Sequence, residues 1–188
     1  MRRALPLDLQ ETNSDIDNID MGSGAHHARE GNLNMEVHYS SKDTTWRTPK
    51  RLYDRLNREF GFELDAAASK QNALCDRYYT EEDDALNLSW ESPGAVWLNP
   101  PYGRVIGKWM EKAVCEANKG SRIVSLVPAR TDTLWWHESA MKASEVRLVK
   151  GRVRFVGASH GAPFPSAILV FDRSTRDGLT PRFSSFIY

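Results

Sequence analysis

Four consecutive residues, Asn99-Pro100-Pro101-Tyr102, have the side chains needed for chemistry on a planar amino group. They follow the apolar run Ala95–Leu98, so the pattern places them where a strand ends and a loop begins. The Asn99 side-chain oxygen and the Pro100 carbonyl can each accept one N–H of an amine, and two prolines with restricted φ keep these acceptors in place. The Tyr102 ring offers a face on which a planar base can stack. Such an arrangement leaves the amine nitrogen directed at an electrophilic methyl group.

A helix is predicted directly after Thr48-Pro49. Threonine is a favoured N-cap residue, and proline is favoured in the first turn of a helix. Apolar residues then recur at four-residue spacing as far as Phe60, and Gly61 is a typical stop. The free N–H groups and the positive dipole end at such an N-terminus favour an anionic ligand group.

Strand and helix patterns alternate along the rest of the chain. The apolar pattern predicts strands over Phe62–Asp65, Arg77–Thr80, Ala95–Leu98, Ile123–Val127, Val146–Val149, Arg152–Val156 and Ala167–Phe171, with helices over Ile106–Ala117 and about Thr133–Lys142. Strands that alternate with helices and end in a hairpin predict an α/β fold. Its sheet is expected to be mostly parallel, with an antiparallel terminal strand at one edge.

Composition indicates a single globular domain preceded by a polar tail. Residues 1–36 lack periodicity and predict a flexible tail, and residues 37–188 form one domain of adequate size for a core. The first 43 residues hold four basic and eight acidic side chains, so the remainder of this net-neutral chain carries a charge of +4. A mildly basic domain is compatible with nucleic-acid binding.

The two cysteines, Cys75 and Cys115, form no metal-ligand pattern, so no metal is expected. Their number suggests a reducing, cytoplasmic environment. The N-terminus lacks the apolar core of a secretory signal, and no apolar run is long enough to cross a membrane. The pattern indicates no obligate protein partner.

Several motifs occur in the order seen in phage-type DNA adenine-N6 methyltransferases, the Dam-like phage family. They are Trp46-x-Thr48-Pro49, Leu64–Ala68, Asp84-Ala85-Leu86, Asn99–Tyr102, Leu126–Thr133 and Gly151-Arg152-x-x-Phe155. The resemblance covers about Val37 to Phe171. It implies a Rossmann-like methyltransferase fold, S-adenosylmethionine as methyl donor and the N6 amine of adenine in DNA as acceptor, in a phage or prophage setting such as restriction-modification.

The resemblance also implies which residues bind the cofactor: Trp46, Thr48, Pro49, Asp65, Ala66, Ala67 and Asp84. Asp65 would face the methionine end and Asp84 the adenosine part, with the neighbouring acids 81–83 as alternatives for the ribose. The family usually has a glycine-rich turn after the first strand, whereas this chain has Asp65 followed by three alanines. A helix N-cap is an equally good interpretation of Asp65 taken alone.

DNA contacts are expected at Arg130, Trp135, Arg152, Arg154 and Phe164. An adenine in a duplex must be flipped out before its amine can react, unless the substrate is single-stranded. Arg152 and Arg154 alternate on one predicted strand and therefore share a face. One of the adjacent tryptophans 135 and 136 is expected to pack in the core instead.

Two other functions remain compatible with the sequence. The same four-residue turn suits methylation of a glutamine amide in a protein or of an amine in RNA. The absence of glycines after Asp65 also permits a non-catalytic DNA-binding module with a decayed cofactor pocket. The target DNA sequence, the oligomeric state and any paired restriction enzyme are not encoded in a recognisable pattern.

Overall fold

The computed structural model describes residues 46–175, 178 and 180–188. The predicted tail, residues 1–36, and the predicted start of the domain at residue 37 lie outside this part of the chain. The helices are α1 Lys50–Phe60, α2 Ile106–Asn118 and α3 Leu134–Glu138, with short 3-10 turns at Ala140–Lys142 and Arg173–Thr175.

The described residues form one mixed sheet of seven strands. These are β1 Phe62–Asp65, β2 Arg77–Tyr78, β3 Ala95–Leu98, β4 Ile123–Pro128, β5 Glu145–Val149, β6 Ser166–Phe171 and β7 Arg182–Phe186, in the spatial order β2-β1-β3-β4-β6-β5-β7. Every neighbouring pair is parallel except the two that involve β6. The predicted α/β, mostly parallel, Rossmann-like sheet is confirmed.

The position of the antiparallel strand differs from the prediction. Strand β6 lies inside the sheet, between β4 and β5, and the edge beyond β5 is formed by β7. The sequence analysis missed β7 because four of its five residues are exposed, so it lacks an apolar run. Strands β3, β4 and β6 are buried throughout, and the apolar run of β4 was correctly interpreted as a buried strand, whereas β6 was expected at the edge.

The predicted strand over Arg152–Val156 is wrong. This segment joins no ladder, and its backbone bonds include those from Val156 N–H to the Arg47 carbonyl and from Ala162 N–H to the Val153 carbonyl. Alternating burial of Val153 and Phe155 imitates a strand pattern, because each side chain packs into the core from a loop.

Two further element predictions need adjustment. The helix expected over about Thr133–Lys142 is interrupted at Ser139, where α3 ends and a 3-10 turn begins. The chain between β1 and β3 contains no α-helix, and β2 has only two residues. This connection is anchored instead by Trp90, a fully buried side chain that donates to the Ala85 carbonyl and whose backbone N–H donates to Glu116 of α2.

Candidate active site

Strands β1 and β3 bring two predicted site residues to the same edge of the sheet. The strands are parallel neighbours, so Asp65 at the end of β1 and Asn99 just after β3 lie at their shared carboxyl edge. Prolines 100 and 101 have no N–H to continue a ladder, which ends the strand at Leu98. The turn that bears the candidate amine acceptors therefore lies at the middle of the sheet.

Asn99 is held by hydrogen bonds at both ends of its side-chain amide. Its Nδ2 donates to the Trp46 carbonyl and, at 3.1 Å, to Thr48 Oγ1. Its Oδ1 accepts a hydrogen bond of 3.0 Å from the Tyr102 hydroxyl. The segment before α1 and the turn after β3 thus meet at one side chain.

Thr48 is not the N-cap of α1, contrary to the prediction. The cap position is occupied by Pro49, which provides no side-chain cap bond, and its carbonyl accepts from the N–H groups of Leu52 and Tyr53. Thr48 is 7% exposed, and its hydroxyl is turned to Asn99 instead. Although Thr48 precedes a helix as a capping threonine would, its hydroxyl binds Asn99 of the candidate site.

Tyr102 is buried rather than open to a ligand. Its ring is 7% exposed and makes edge contacts with Phe155 and Phe164, at centroid distances of 6.2 and 5.7 Å. Trp46 packs on the same two phenylalanines. We call these four side chains the aromatic cluster. A base could stack on Tyr102 only after a neighbouring side chain withdraws, so this role stays a prediction.

The Tyr102 hydroxyl has two acceptors for its single proton. Besides Asn99, the Leu126 carbonyl lies 3.2 Å from it. Burial raises the pKa of the Tyr102 phenol well above its usual value, so the hydroxyl remains a donor at neutral pH. When the proton is shared with Leu126, the Asn99 oxygen has lone-pair capacity left for another donor.

The Pro100 carbonyl is a second acceptor beside Asn99. Over the described residues, no backbone or side-chain donor bonds to this oxygen, although Pro100 itself is buried. This carbonyl therefore has hydrogen-bonding capacity left for another donor. Joint binding of one amine by Asn99 and Pro100 stays a prediction.

A cavity of about 240 Å³ adjoins this turn. Four predicted site residues line it: Thr48, Asp65, Ala67 and Asn99. The sequence analysis missed the other lining residues, which are Arg47, Lys50, Gln71, Asn72, Ala73, Leu74, Trp97 and Val156. The sequence could have indicated Arg47 and Lys50, because these residues flank the Thr48-Pro49 motif. The predicted site residues Trp46, Pro49, Ala66, Pro100 and Tyr102 do not line the cavity.

Asp65 is the acidic residue that lines the cavity, and it is 3% exposed. Its carboxylate accepts from the Leu74 N–H at 3.1 Å and more weakly from the Ala67 N–H at 3.4 Å. Burial raises the pKa of Asp65 to about 6, and these two donors offset only part of that rise. No helix follows Asp65, so the N-cap interpretation is wrong.

The charges around the cavity suit the amino-acid end of S-adenosylmethionine. Asp65 supplies a buried negative group for an ammonium. Arg47 and the N-terminus of α1 supply positive potential for a carboxylate, and in the described part of the chain the first two helical N–H groups, of Lys50 and Arg51, have no partner. The donor set therefore fits a zwitterion.

Asp84 lies away from this cavity. It is exposed, has a positive φ of 52° and accepts a hydrogen bond from Asn87 Nδ2 at 2.7 Å. The neighbouring acids 81–83 are exposed in the same turn. The structure therefore does not bring the predicted adenosine-binding acid to the residues that line the cavity.

The predicted DNA-contacting residues are accessible in most cases. Arg130, Arg152 and Arg154 are exposed, Trp135 is half-buried, and Phe164 is half-buried within the aromatic cluster. The two arginines 152 and 154 alternate with buried side chains and face outward together, as predicted, although their segment is not a strand. Trp136 is the core member of the tryptophan pair.

Neither a metal cluster nor a membrane helix occurs in the described residues. Over residues 46–175, 178 and 180–188, no group of three or more metal-ligating side chains converges, and no helix has the length and apolarity to cross a membrane. Cys75 contacts the Tyr53 hydroxyl at 3.2 Å, and burial raises the pKa of its thiol to about 11, so it is protonated at neutral pH.

Comparison with known proteins gives one family. A family model described as "DNA N-6-adenine-methyltransferase (Dam)" matches residues 35–184. A protein of Escherichia phage T1 named "DNA N-6-adenine-methyltransferase" is 35% identical over 102 residues, which are 54% of this chain and 42% of that protein. "Putative methyltransferase YfdM" of Escherichia coli K12 is 44% identical over 63 residues, which are 30% of this chain and 69% of that protein. The match thus spans less than half of the phage protein.

Proposed function

Since the chain belongs to the DNA N-6-adenine-methyltransferase (Dam) family, we propose that it transfers a methyl group from S-adenosylmethionine to N6 of adenine in DNA. The observation that supports this proposal is the cavity that Asn99 and the buried Asp65 carboxylate both line, at the carboxyl edge of β1 and β3. The name of the phage T1 relative supports adenine in DNA as the acceptor.

The chain's own residues would hold the amino-acid end of the cofactor. Asp65 binds the ammonium, and Arg47 with the N-terminus of α1 binds the carboxylate. The bound cofactor supplies a methyl group on a sulfonium, which is a good leaving group. Ala67 lines the same wall and lets the ligand approach closely, in place of the glycine usual in this class.

The amine would be positioned by two carbonyl oxygens. Asn99 Oδ1 accepts one N–H of the adenine amine and the Pro100 carbonyl accepts the other, which directs the nitrogen lone pair toward the methyl group. Tyr102 assists when its hydroxyl donates to Leu126 and leaves the Asn99 oxygen free. The surplus amine proton would pass to solvent water after attack, so positioning rather than a strong base supplies most of the rate.

DNA would lie against the face that bears Arg130, Arg152 and Arg154, where phosphate contacts orient the duplex or single strand. Trp135 and Phe164 are half-buried aromatic groups that would support an unstacked base. Within residues 46–175, 178 and 180–188, the buried carboxylate of Asp65 forms no ion pair, and such a group in a cavity supports an enzyme rather than a non-catalytic DNA-binding module.

The experiment is methyl transfer from labelled S-adenosylmethionine to defined DNA, followed by mapping of the modified base. Parallel reactions offer RNA and a protein that contains accessible glutamine. The proposal expects label in DNA as N6-methyladenine and none with Asn99→Ala. Label in RNA or protein alone would favour the other acceptor, and no binding of the cofactor by calorimetry would favour the binding module.

A further inference from the structure

We propose that Thr48 is a positioning residue for methyl transfer. Its hydroxyl, together with the Trp46 carbonyl, holds the Asn99 amide in the one orientation that presents its oxygen to the substrate amine. This inference rests on the function proposed above and assigns Thr48 a role toward Asn99 instead of the cofactor role that its motif implies.

The two ends of an asparagine amide have opposite hydrogen-bonding character. An adenine amine brings N–H donors to the site, so only the oxygen of Asn99 can bind it productively. If the amide were rotated by half a turn, its NH₂ group would face the amine and its oxygen would face the Trp46 carbonyl. Two oxygens cannot form a hydrogen bond there, because neither has a proton. The Trp46 carbonyl therefore selects the productive orientation, and the Thr48 hydroxyl, as a second acceptor, holds Nδ2 in it.

Thr48 is free for this task because it does not cap α1. Pro49 is the cap, without a side-chain bond, and the Thr48 hydroxyl lies 3.1 Å from Asn99 Nδ2. The segment is fixed on both sides. Arg47 accepts a backbone bond from Val156, and the Trp46 ring packs in the aromatic cluster. The acceptors for Nδ2 are thus in place before any substrate binds.

The kinetic test compares Thr48→Val, which keeps the shape and removes the hydroxyl, with Thr48→Ser, which keeps the hydroxyl. Thr175→Val is the matched control, because Thr175 is exposed and its hydroxyl donates only to a backbone carbonyl. Single-turnover rates are measured with cofactor and DNA both saturating. We expect the rate of Thr48→Val to fall by at least about fivefold, with Thr48→Ser and the control within about twofold of wild type. A saturated rate equal to wild type in Thr48→Val overturns the proposal, even if its cofactor affinity falls.

A second measurement does not depend on activity. The side-chain N–H signals of Asn99, identified by their disappearance in Asn99→Asp, are followed by NMR hydrogen exchange. Thr48→Val should speed the exchange of these protons, whereas Thr48→Ser should not. Unchanged exchange in Thr48→Val overturns the proposal. If wild type methylates no DNA, the proposed function fails, and this measurement still decides the role of Thr48.

Discussion

At Asn99, one small side chain links three parts of the molecule. Its donors reach Trp46 and Thr48, which precede α1, and its acceptor reaches Tyr102, three residues ahead. One end of the Asn99 amide donates hydrogen bonds and the other accepts them. Two protein acceptors can therefore orient the amide through its NH₂ group, while its oxygen is still available to a ligand. Its neighbour Pro100 adds a carbonyl without an internal partner in the described part of the chain.

The first prediction concerns Asn99. Asn99→Ala removes an amine acceptor, so we expect its saturated methyl-transfer rate to fall by about 100-fold or more, with cofactor affinity within about threefold. Asn99→Asp keeps an oxygen but removes both donors and sets a carboxylate against the Trp46 carbonyl. It should therefore restore little of the rate. Single-turnover assays and calorimetry measure these quantities, and near-wild-type transfer by Asn99→Ala would remove this residue from the mechanism.

The second prediction concerns the pH dependence of cofactor binding. The pKa of Asp65 in the free protein is about 6, raised by burial. Only the ionised form attracts an ammonium, so affinity should be highest above pH 6. It should fall by up to about tenfold per unit as the pH drops below that value. Calorimetry with S-adenosylmethionine between pH 5 and 8, in roughly half-unit steps, measures the profile.

Two variants test whether Asp65 is the group that causes this pH dependence. Asp65→Asn should bind weakly and show no step near pH 6. Asp83→Asn removes an exposed carboxylate whose pKa is lowered by hydrogen bonds from Thr80, and it should keep the step. A wild-type profile that is flat through pH 6, or a step that survives in Asp65→Asn, would place the ammonium elsewhere.

At the scale of elements, the site is built by segments that are not themselves regular structure. The residues before α1 and the segment 152–156 meet through the backbone bond from Val156 to Arg47 and through the contact of Trp46 with Phe155. The sheet positions Asp65 and Asn99, while these two segments supply the acceptors for the Asn99 Nδ2 and two members of the aromatic cluster. The outward face of 152–156 carries two arginines.

The third prediction concerns those arginines. Replacing Arg152 and Arg154 with alanine should weaken DNA binding and lower the slope of log affinity against log salt by about 1 for each phosphate that is no longer neutralised. Cofactor affinity should not change. Arg58→Ala, at the opposite end of α1 from the site, is the control. DNA-binding titrations at several salt concentrations measure this slope. If the double variant kept the wild-type slope of log affinity against log salt, Arg152 and Arg154 would not contact DNA phosphates.

At the scale of the whole molecule, the family match leaves out nearly all of the predicted tail. The match starts at residue 35, and the sequence pattern predicts a polar tail over residues 1–36. The sheet that carries the candidate site is made entirely of residues after 61. We therefore expect the proposed methyl transfer to need only the part of the chain after the predicted tail.

The fourth prediction follows for a chain that lacks residues 1–36. Its cofactor affinity and its saturated methyl-transfer rate should each stay within about threefold of the full chain, because the predicted tail has a largely polar composition without periodicity. Calorimetry and single-turnover assays on both chains provide the comparison. Failure of the shortened chain to bind the cofactor would show that the tail contributes to the site.

By itself, the sequence determined the α/β class, the central strands and the position of the amine-binding turn. These features depend on local signals: unbroken apolar runs for β3 and β4, and prolines 100 and 101 at a strand end. It also identified Asp65 as a strand-end acid. Edge strand β7 was missed because most of its residues are exposed and give no apolar pattern. The loop at 152–156 was wrongly predicted as a strand because its residues alternate between buried and exposed.

Only the tertiary structure decided what the individual side chains do. Thr48 and Asn99 are 51 positions apart, so no local pattern shows that one holds the other. No local pattern shows that Tyr102 is buried or that Arg47 lines the cavity. Conversely, Asp84 fits a family motif but does not line the cavity. Contacts between distant positions depend on how the elements pack, and that packing is set by the whole core rather than by neighbours along the chain.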